Sequence, residues 1–326
     1  MERNEKKVSA ARLSIFSNSA LIVMKLIVGL SIGSVSVISE AAHSSVDLVA
    51  ALIAFFSVKK SDKPADDEHP FGHGKIENIS GTIEALLIIL AAIWIITEAI
   101  ERLLNPAPID AVEWGIGVML ISSVTNWIVS KRLFVVGRQT DSIALQADGW
   151  HLRTDVYTSL GVMASLVLIW SGEKVFPGMN LHWIDPVAAI AVAFLILHTA
   201  WKLTVQSAKD LLDWRLPAEE MDYITGLIRS MHPPVHGFHK LRTRKAGSAR
   251  FIEFHMLVDP DMTVDESHRL TDEITRLITK HLPGSTVTVH VEPCNGRCDH
   301  ECTRGCMLTE KQRSSVIRKF SNRSQD

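Results

Sequence analysis

The chain has 326 residues, 47% of them hydrophobic and 21% charged, with a formal net charge of −2. That balance is too apolar for a disordered chain and lacks the basic excess of a nucleic-acid-binding protein. The average conceals two halves: residues 15–206 hold nearly all the long apolar runs, whereas 207–326 read as a water-soluble segment rich in His, Arg and Asp.

Residues 1–13 form a charged tail with Arg3, Lys6, Lys7 and Arg12. Six apolar segments follow near 14–36, 39–59, 79–103, 112–136, 144–171 and 184–206, each long enough to cross a ~30 Å hydrocarbon core as a helix of about 20 residues. No cleavable signal is expected, because the charged first dozen residues run straight into a full-length span. Lys and Arg gather in the tail, the second loop (Lys59, Lys60, Lys63, Lys75) and the fourth loop (Lys131, Arg132, Arg138), while the opposite loops offer only Arg102 and Lys174. Both termini are therefore expected in the cytoplasm.

The second and fifth spans are the least hydrophobic, and each carries a four-residue step: His43 to Asp47, and His151 to Asp155. A charge in hydrocarbon costs about 2.5 kcal/mol or more, so such residues line a pathway or pair with a partner. Positions i and i+4 share one helix face, so two such helices facing each other supply two imidazole nitrogens and two carboxylates. That set suits a tetrahedral divalent ion and favours zinc over calcium or magnesium. The bland alternative is a pair of His-Asp hydrogen bonds tying helices together, and the repetition of the step argues for the metal. Asp148, three residues before His151, orients the imidazole, shuttles protons or caps the helix.

The second loop, from Pro64 to Lys75, is punctuated by Pro and Gly and is expected to turn. Its Asp66, His69 and His73 either meet in a small metal site or belong to a solvated acidic loop.

Past the last span, apolar Met221, Ile224, Ile228 and Met231 predict a helix over 217–231 behind a Pro. Strands are expected at 239–246 and 249–258, joined by a hairpin turn at Ala246-Gly247-Ser248. A second amphipathic helix at about 263–281 and a strand at 286–292 complete the order α-β-β-α-β. This predicts a small sheet with two helices on one face and the other face left for a partner. His290 and Glu292, two apart on a strand, point the same way, a geometry suited to shared metal ligation. His232 and His236 are expected in a turn.

All four cysteines fall in one tail at four-residue spacing, Cys294, Cys298, Cys302 and Cys306, with His300 among them. A reducing cytosol argues against disulfides, and four clustered thiols argue for a soft-metal site over an unstructured tail. Asn295-Gly296 and Gly305 speak against a regular helix.

The motifs His43-x-x-x-Asp47, His69-Pro-Phe-Gly-His73-Gly-Lys75, Ala147-Asp148-Gly-Trp-His151-x-x-x-Asp155, Leu241-Arg-Thr-Arg244 and His290-x-Glu292-Pro293 together resemble the cation diffusion facilitators, a family of zinc-transporting metal/proton antiporters. The resemblance runs from Asn18 to about Pro293. It implies an α-helical membrane protein with a six-helix transport domain (14–208), then an α+β ferredoxin-like cytoplasmic metal-binding domain (209–293) and, outside the family core, a Cys-rich tail (294–326).

By the same resemblance His43, Asp47, His151 and Asp155 are the transport site, and Asp66, His69 and His73 a loop site. His239, His255 and His268 complete a cytoplasmic zinc cluster with His290 and Glu292, where a close relative has Asp at the last position. Lys75 and Asp213 are an expected interdomain pair. His at position 43, where many broad-specificity bacterial members have Asp, should favour zinc over harder ions such as manganese. The family further implies a homodimer, a location in the inner membrane of a bacterium, and divalent metal ions and protons as what is moved across the lipid bilayer.

Zinc needs neutral His and ionised Asp, so protonation of the ligands expels it and a site open to one side at a time exchanges zinc for protons. His151 is the expected main proton carrier, since an imidazole titrates near 6.5 when unperturbed. A membrane-anchored metal sensor or metalloenzyme is the competing class. Four protein ligands close the tetrahedron that a catalytic zinc leaves open, and no nucleophile elbow or phosphate loop is present.

Overall fold

The computed structural model describes residues 2–32, 35–105, 113–175, 183–296 and 300–323; within these ranges some side chains, that of His43 among them, lie outside the description. The chain divides into two units, Met1–Leu211 and Leu212–Asp326.

Among the described residues the first unit holds six helices, α1 (Glu2–Ile32), α2 (Val35–Ser61), α3 (Lys75–Leu104), α4 (Glu113–Gln139), α5 (Ile143–Val175) and α6 (Ile184–Leu211). Helix α1 begins far ahead of residue 14 because the charged tail contains no Gly or Pro to stop it and several good helix formers. Among the described residues, Arg3–Ser31, Lys75–Leu104 and Ile184–Leu211 are long and apolar enough to cross a membrane. Large apolar side chains such as Phe16, Leu30, Leu90, Trp94, Phe194 and Trp201 are exposed, while Asn18, Lys25, Asp47, Glu84, Asn126, Asp148 and His151 are buried. Such an inside-out distribution is stable in lipid and costly in water.

Helix α3 lies along α6, α1 along α2 and α4 along α5. Ala85, Ala92 and Ala200 share a core with Ile88, Ile196 and Leu203, the small residues letting the α3 and α6 backbones approach closely. At one end of the bundle a buried polar clamp joins four segments. Lys7 Nζ donates to Glu77 Oε1 at 2.8 Å and to Asp62 Oδ1 at 3.1 Å, Ser61 Oγ donates to Glu77 Oε1 at 2.8 Å, and Ser142 Oγ to Glu77 Oε2 at 2.5 Å.

The second unit runs α7 (Ala218–Ser230), β1 (Val235–Ala246), β2 (Ala249–Val258), α8 (Val264–His281) and β3 (Ser285–Pro293), with sheet order β1-β2-β3. The two-residue turn at Gly247-Ser248 needs the positive φ of Gly247, +58°. Strand β1 starts earlier than expected, so His236 lies in it and only His232 sits in the preceding turn. Helix α8 opens on a capping box in which Thr263 and Glu266 satisfy each other's backbone N–H.

Alternation along the strands separates two faces. Ile252, Phe254, Met256, Val287, Val289 and Val291 face a core completed by Ile224 and Ile228 of α7 and Ile274 and Ile278 of α8. Glu253, His255 and Leu257 point the other way, level with Thr288, His290 and Glu292 on β3.

That second face is not wholly open, contrary to expectation. The tail folds into α9 (His300–Gly305) and α10 (Glu310–Arg323) instead of remaining irregular. Cys294, Cys302, Leu308 and Val316 pack on Leu257, with Cys306 against them. Thr309 and Gln312 make a capping box for α10, Gln312 Oε1 accepting from Thr309 N at 2.9 Å and Thr309 Oγ1 from Gln312 N at 3.4 Å, and Gly305 ends α9 where a helix would be stopped.

Candidate metal centres

In the first unit, α2 and α5 bring Asp47, His151 and Asp155 together, with ligand atoms all within 4.8 Å of one another. His151 Nε2 is 3.0 Å from Asp47 Oδ1, and both side chains are buried. The i, i+4 spacing does what was expected on α5, placing His151 and Asp155 on the face turned to α2. The fourth expected member, His43, sits on α2 one turn before Asp47, and its side chain lies outside the described residues.

A polar cavity of about 90 Å³ opens beside Asp47 and Asp155, lined also by Asn18, Lys25, Ser44, Ser122, Ser123 and Asn126. Lys25 Nζ donates to Ser44 Oγ at 2.8 Å. Among the described residues the buried Asn18 Nδ2, Ser122 Oγ, Ser123 Oγ and Asn126 Oδ1 have no protein partner, so water or an ion entering the cavity would compensate their desolvation. Asn18 and Asn126 line one space with Asp47 and Asp155 because packing, and no local period, sets their helical phase relative to Asp47. Asp148 is fully buried, with Ser14, His151, Asp47 and Glu84 as its electrostatic neighbours, and its place inside the bundle excludes a solvent-side cap.

The α2–α3 loop forms the second group. Asp66, His69 and His73 lie within 4.8 Å of one another, His73 buried and the other two exposed. Asp66 Oδ1 accepts from the His69 backbone N at 2.7 Å, and Oδ2 lies 3.4 Å from His73 Nε2. The backbone N–H of His69 is what chiefly holds the Asp66 carboxyl below its usual range, so a ready anion stands between two imidazoles.

The third group spans the sheet. His239, His255 and Glu292 lie within 4.8 Å of one another, with His239 Nε2 3.0 Å from Glu292 Oε2 and His255 Nδ1 2.7 Å from Oε1. Register explains the row: His239 pairs with His255 and His255 with His290, so all three share one face. A bulge follows His239, where Lys240 takes φ +50°, and restores the pairing at Arg242. Burial alone would raise the Glu292 pKa, but the hydrogen bonds from His255 and His239 outweigh it and hold the carboxylate below its ordinary value.

His290 lies at the edge of this group, Nε2 3.6 Å from Glu292 Oε1 and its ring 4.7 Å from that of His255. His268 is not brought to it: 73% exposed, it faces Asp272 at 3.6 Å on α8, and α8 packs on the opposite face of the sheet. Lys75 Nζ donates to Leu211 O at 3.3 Å within the first unit, and Asp213 accepts from Arg244 Nη1 at 3.3 Å within the second. Of the tail residues, Cys294, Cys302 and Cys306 share one cluster and His300 is exposed, while Cys298 lies outside the described residues.

Comparison with known proteins places these groups in context. A profile of the cation efflux transmembrane domain matches residues 11–212, and one of the cytoplasmic domain of cation efflux proteins matches 216–294. An uncharacterized transporter of Synechocystis sp. is 38% identical over 283 residues, covering 87% of this chain and 89% of its own. The cation-efflux pump FieF of Salmonella agona is 32% identical over 277 residues, 85% and 89% of the two chains. Among solved structures, the Zn form of CzrB is 38% identical and covers 26% of this chain and 97% of its own, at a TM-score of 0.25. The metal-bound C-terminal domain of the CzcD transporter from Thermotoga maritima covers 23% and 87%, with 36% identity and a TM-score of 0.22.

Proposed function

This chain belongs to the cation diffusion facilitators, the cation efflux family, and on that premise we propose that it exports zinc in exchange for protons. It is a cation efflux transporter with a cytoplasmic dimerisation domain, and not an enzyme. The observation that carries the finer reading is the meeting of Asp47, His151 and Asp155 inside the bundle beside a polar cavity. One imidazole and two carboxylates, with His43 as the fourth donor by sequence position, form a mixed nitrogen and oxygen set suited to zinc.

The exchange follows from the ligand chemistry. Zinc as substrate requires both carboxylates ionised and His151 neutral; protons arriving at the same atoms remove the lone pairs that held it. The 3.0 Å contact between His151 and Asp47 supports a shared proton once the metal has left. In this reading the six helices are six spans in an inner membrane with both termini in the cytoplasm. The His239, His255 and Glu292 group senses cytosolic zinc, and the second units pair about a two-fold axis.

The test is metal uptake into proteoliposomes under an imposed pH gradient, comparing the intact protein with Asp47→Ala plus Asp155→Ala for zinc, cadmium, manganese and ferrous iron. Proton-coupled zinc uptake that the variant loses supports the antiporter. Stoichiometric zinc binding without flux of any metal would reject it in favour of a membrane-anchored sensor.

A further inference from the structure

Helix α1 carries a lysine inside its apolar stretch Arg3–Ser31, long enough to cross a membrane, and that lysine, Lys25, is only 5% exposed. A charge at such depth is costly unless it faces a partner or a pathway, so its surroundings decide what it does. Lys25 Nζ donates to Ser44 Oγ at 2.8 Å. Ser44 stands three residues before Asp47 and so on the same face of α2. A neutral hydroxyl positions the lysine head without offsetting its charge.

The offsetting charges line the same space. The polar cavity of about 90 Å³ has Lys25, Asp47 and Asp155 in its wall, so one formal cation and two formal anions stand among its described lining residues. Asn18, two turns before Lys25 on α1, and Asn126 on α4 line it too. Each has a buried polar atom with no protein partner among the described residues. A space of that size and polarity takes several waters, so the three charges act on whatever ion enters it.

We infer that Lys25 is a specificity-determining residue, a tethered monovalent cation that competes with the transported metal for the carboxylates of Asp47 and Asp155. It sets how tightly the metal is held and keeps free monovalent ions out. The inference rests on the reading of Asp47 and Asp155 as the transport site. Those two carboxylates alone would place −2 at the cavity, a charge that grips a divalent ion and also attracts sodium or potassium. With Lys25 the sum is −1.

A free monovalent ion then offers the carboxylates no more charge than the lysine already supplies, and the lysine, held on its helix, is present at a high effective concentration. A divalent ion gains about twice the attraction and still enters. The like charge beside it weakens its hold, so it also leaves, as an ion pathway requires.

The experiment titrates the full chain in detergent with zinc and follows the site that Asp47→Ala plus Asp155→Ala removes. Lys25→Met and Lys25→Gln should each tighten zinc at that site about 10–100-fold, and in proteoliposomes should lower KM and kcat together because release slows. Lys25→Arg, which keeps the charge, should bind zinc like the parent. A lysine that merely ties α1 to Ser44 predicts otherwise: Lys25→Gln, which keeps a donor, would match the parent, and Lys25→Met would bind no tighter. Unchanged or weaker zinc binding in both neutral variants therefore overturns the inference. In the parent, sodium chloride should displace zinc no better than choline chloride at equal ionic strength, and displacement by sodium alone overturns the inference without any variant. If Asp47→Ala plus Asp155→Ala removes no zinc site from the parent, the transport-site reading fails instead, so the two are separable.

Discussion

His151 Nε2 on α5 stands 3.0 Å from Asp47 Oδ1 on α2, a buried contact across two helices that are far apart in sequence. In the proposed exchange such a pair couples a proton acceptor to a proposed metal ligand in one hydrogen bond. His151→Ala should therefore lower zinc transport by about 10–100-fold while leaving detergent melting near that of the parent. Unchanged, fully pH-dependent uptake by that variant removes His151 from the mechanism.

Lys7 and Glu77 form a buried ion pair, each about 1% exposed, that ties α1 to α3. Glu77→Ala leaves the Lys7 ammonium without its closest anion and should cost about 3–5 kcal/mol. The double change Lys7→Met plus Glu77→Leu should cost less, because it also removes the buried ammonium and leaves Asp62 to the solvent side. Thermal unfolding in detergent checks both, and a double variant as unstable as the single one contradicts the argument.

Glu266 closes the capping box of α8, and its hydrogen bonds from Thr263 hold its pKa below the ordinary 4.5. A carboxylate with a depressed folded pKa adds stability that is complete above 4.5 and fades as pH falls through the lowered value. Glu266→Gln should thus lower the melting temperature at pH 7, and the gap to the parent should close on acidification. A gap that widens with acid would contradict the sign.

Gly305 has no room for a side chain against Phe238 O. Gly305→Ala should detach the tail from β1 at a cost of about 1–3 kcal/mol. Faster proteolysis after residue 293 in the variant, with α8 unaffected, is the expected reading; parent-like resistance would mean the backbone shifts freely there.

The loop group makes a separate prediction. Asp66→Ala plus His69→Ala plus His73→Ala should lower zinc stoichiometry by one ion per chain without loss of the Asp47 and Asp155 site, as read by equilibrium dialysis. No change in stoichiometry removes the loop from the metal sites.

Much of the architecture was legible because period is a local property. Alternation of Val287, Val289 and Val291 marked β3, and the step from His151 to Asp155 marked one face of α5. The tail was misread because Gly296 and Gly305 were weighed and the capping box at Thr309 and Gln312 was not. His268 was placed with the cytoplasmic group by resemblance, whereas α8 packs on the other side of the sheet.

By itself the sequence determined the two-part chain, the helix and strand order, and which residue types can hold a divalent ion, since these follow from composition and periodicity along the chain. Tertiary structure alone decided which of them meet. The pairing of Lys7 with Glu77, the cavity that joins Asn18 and Asn126 to Asp47, and the gathering of three cysteines over Leu257 depend on helix phase and packing between distant segments, which no local period encodes.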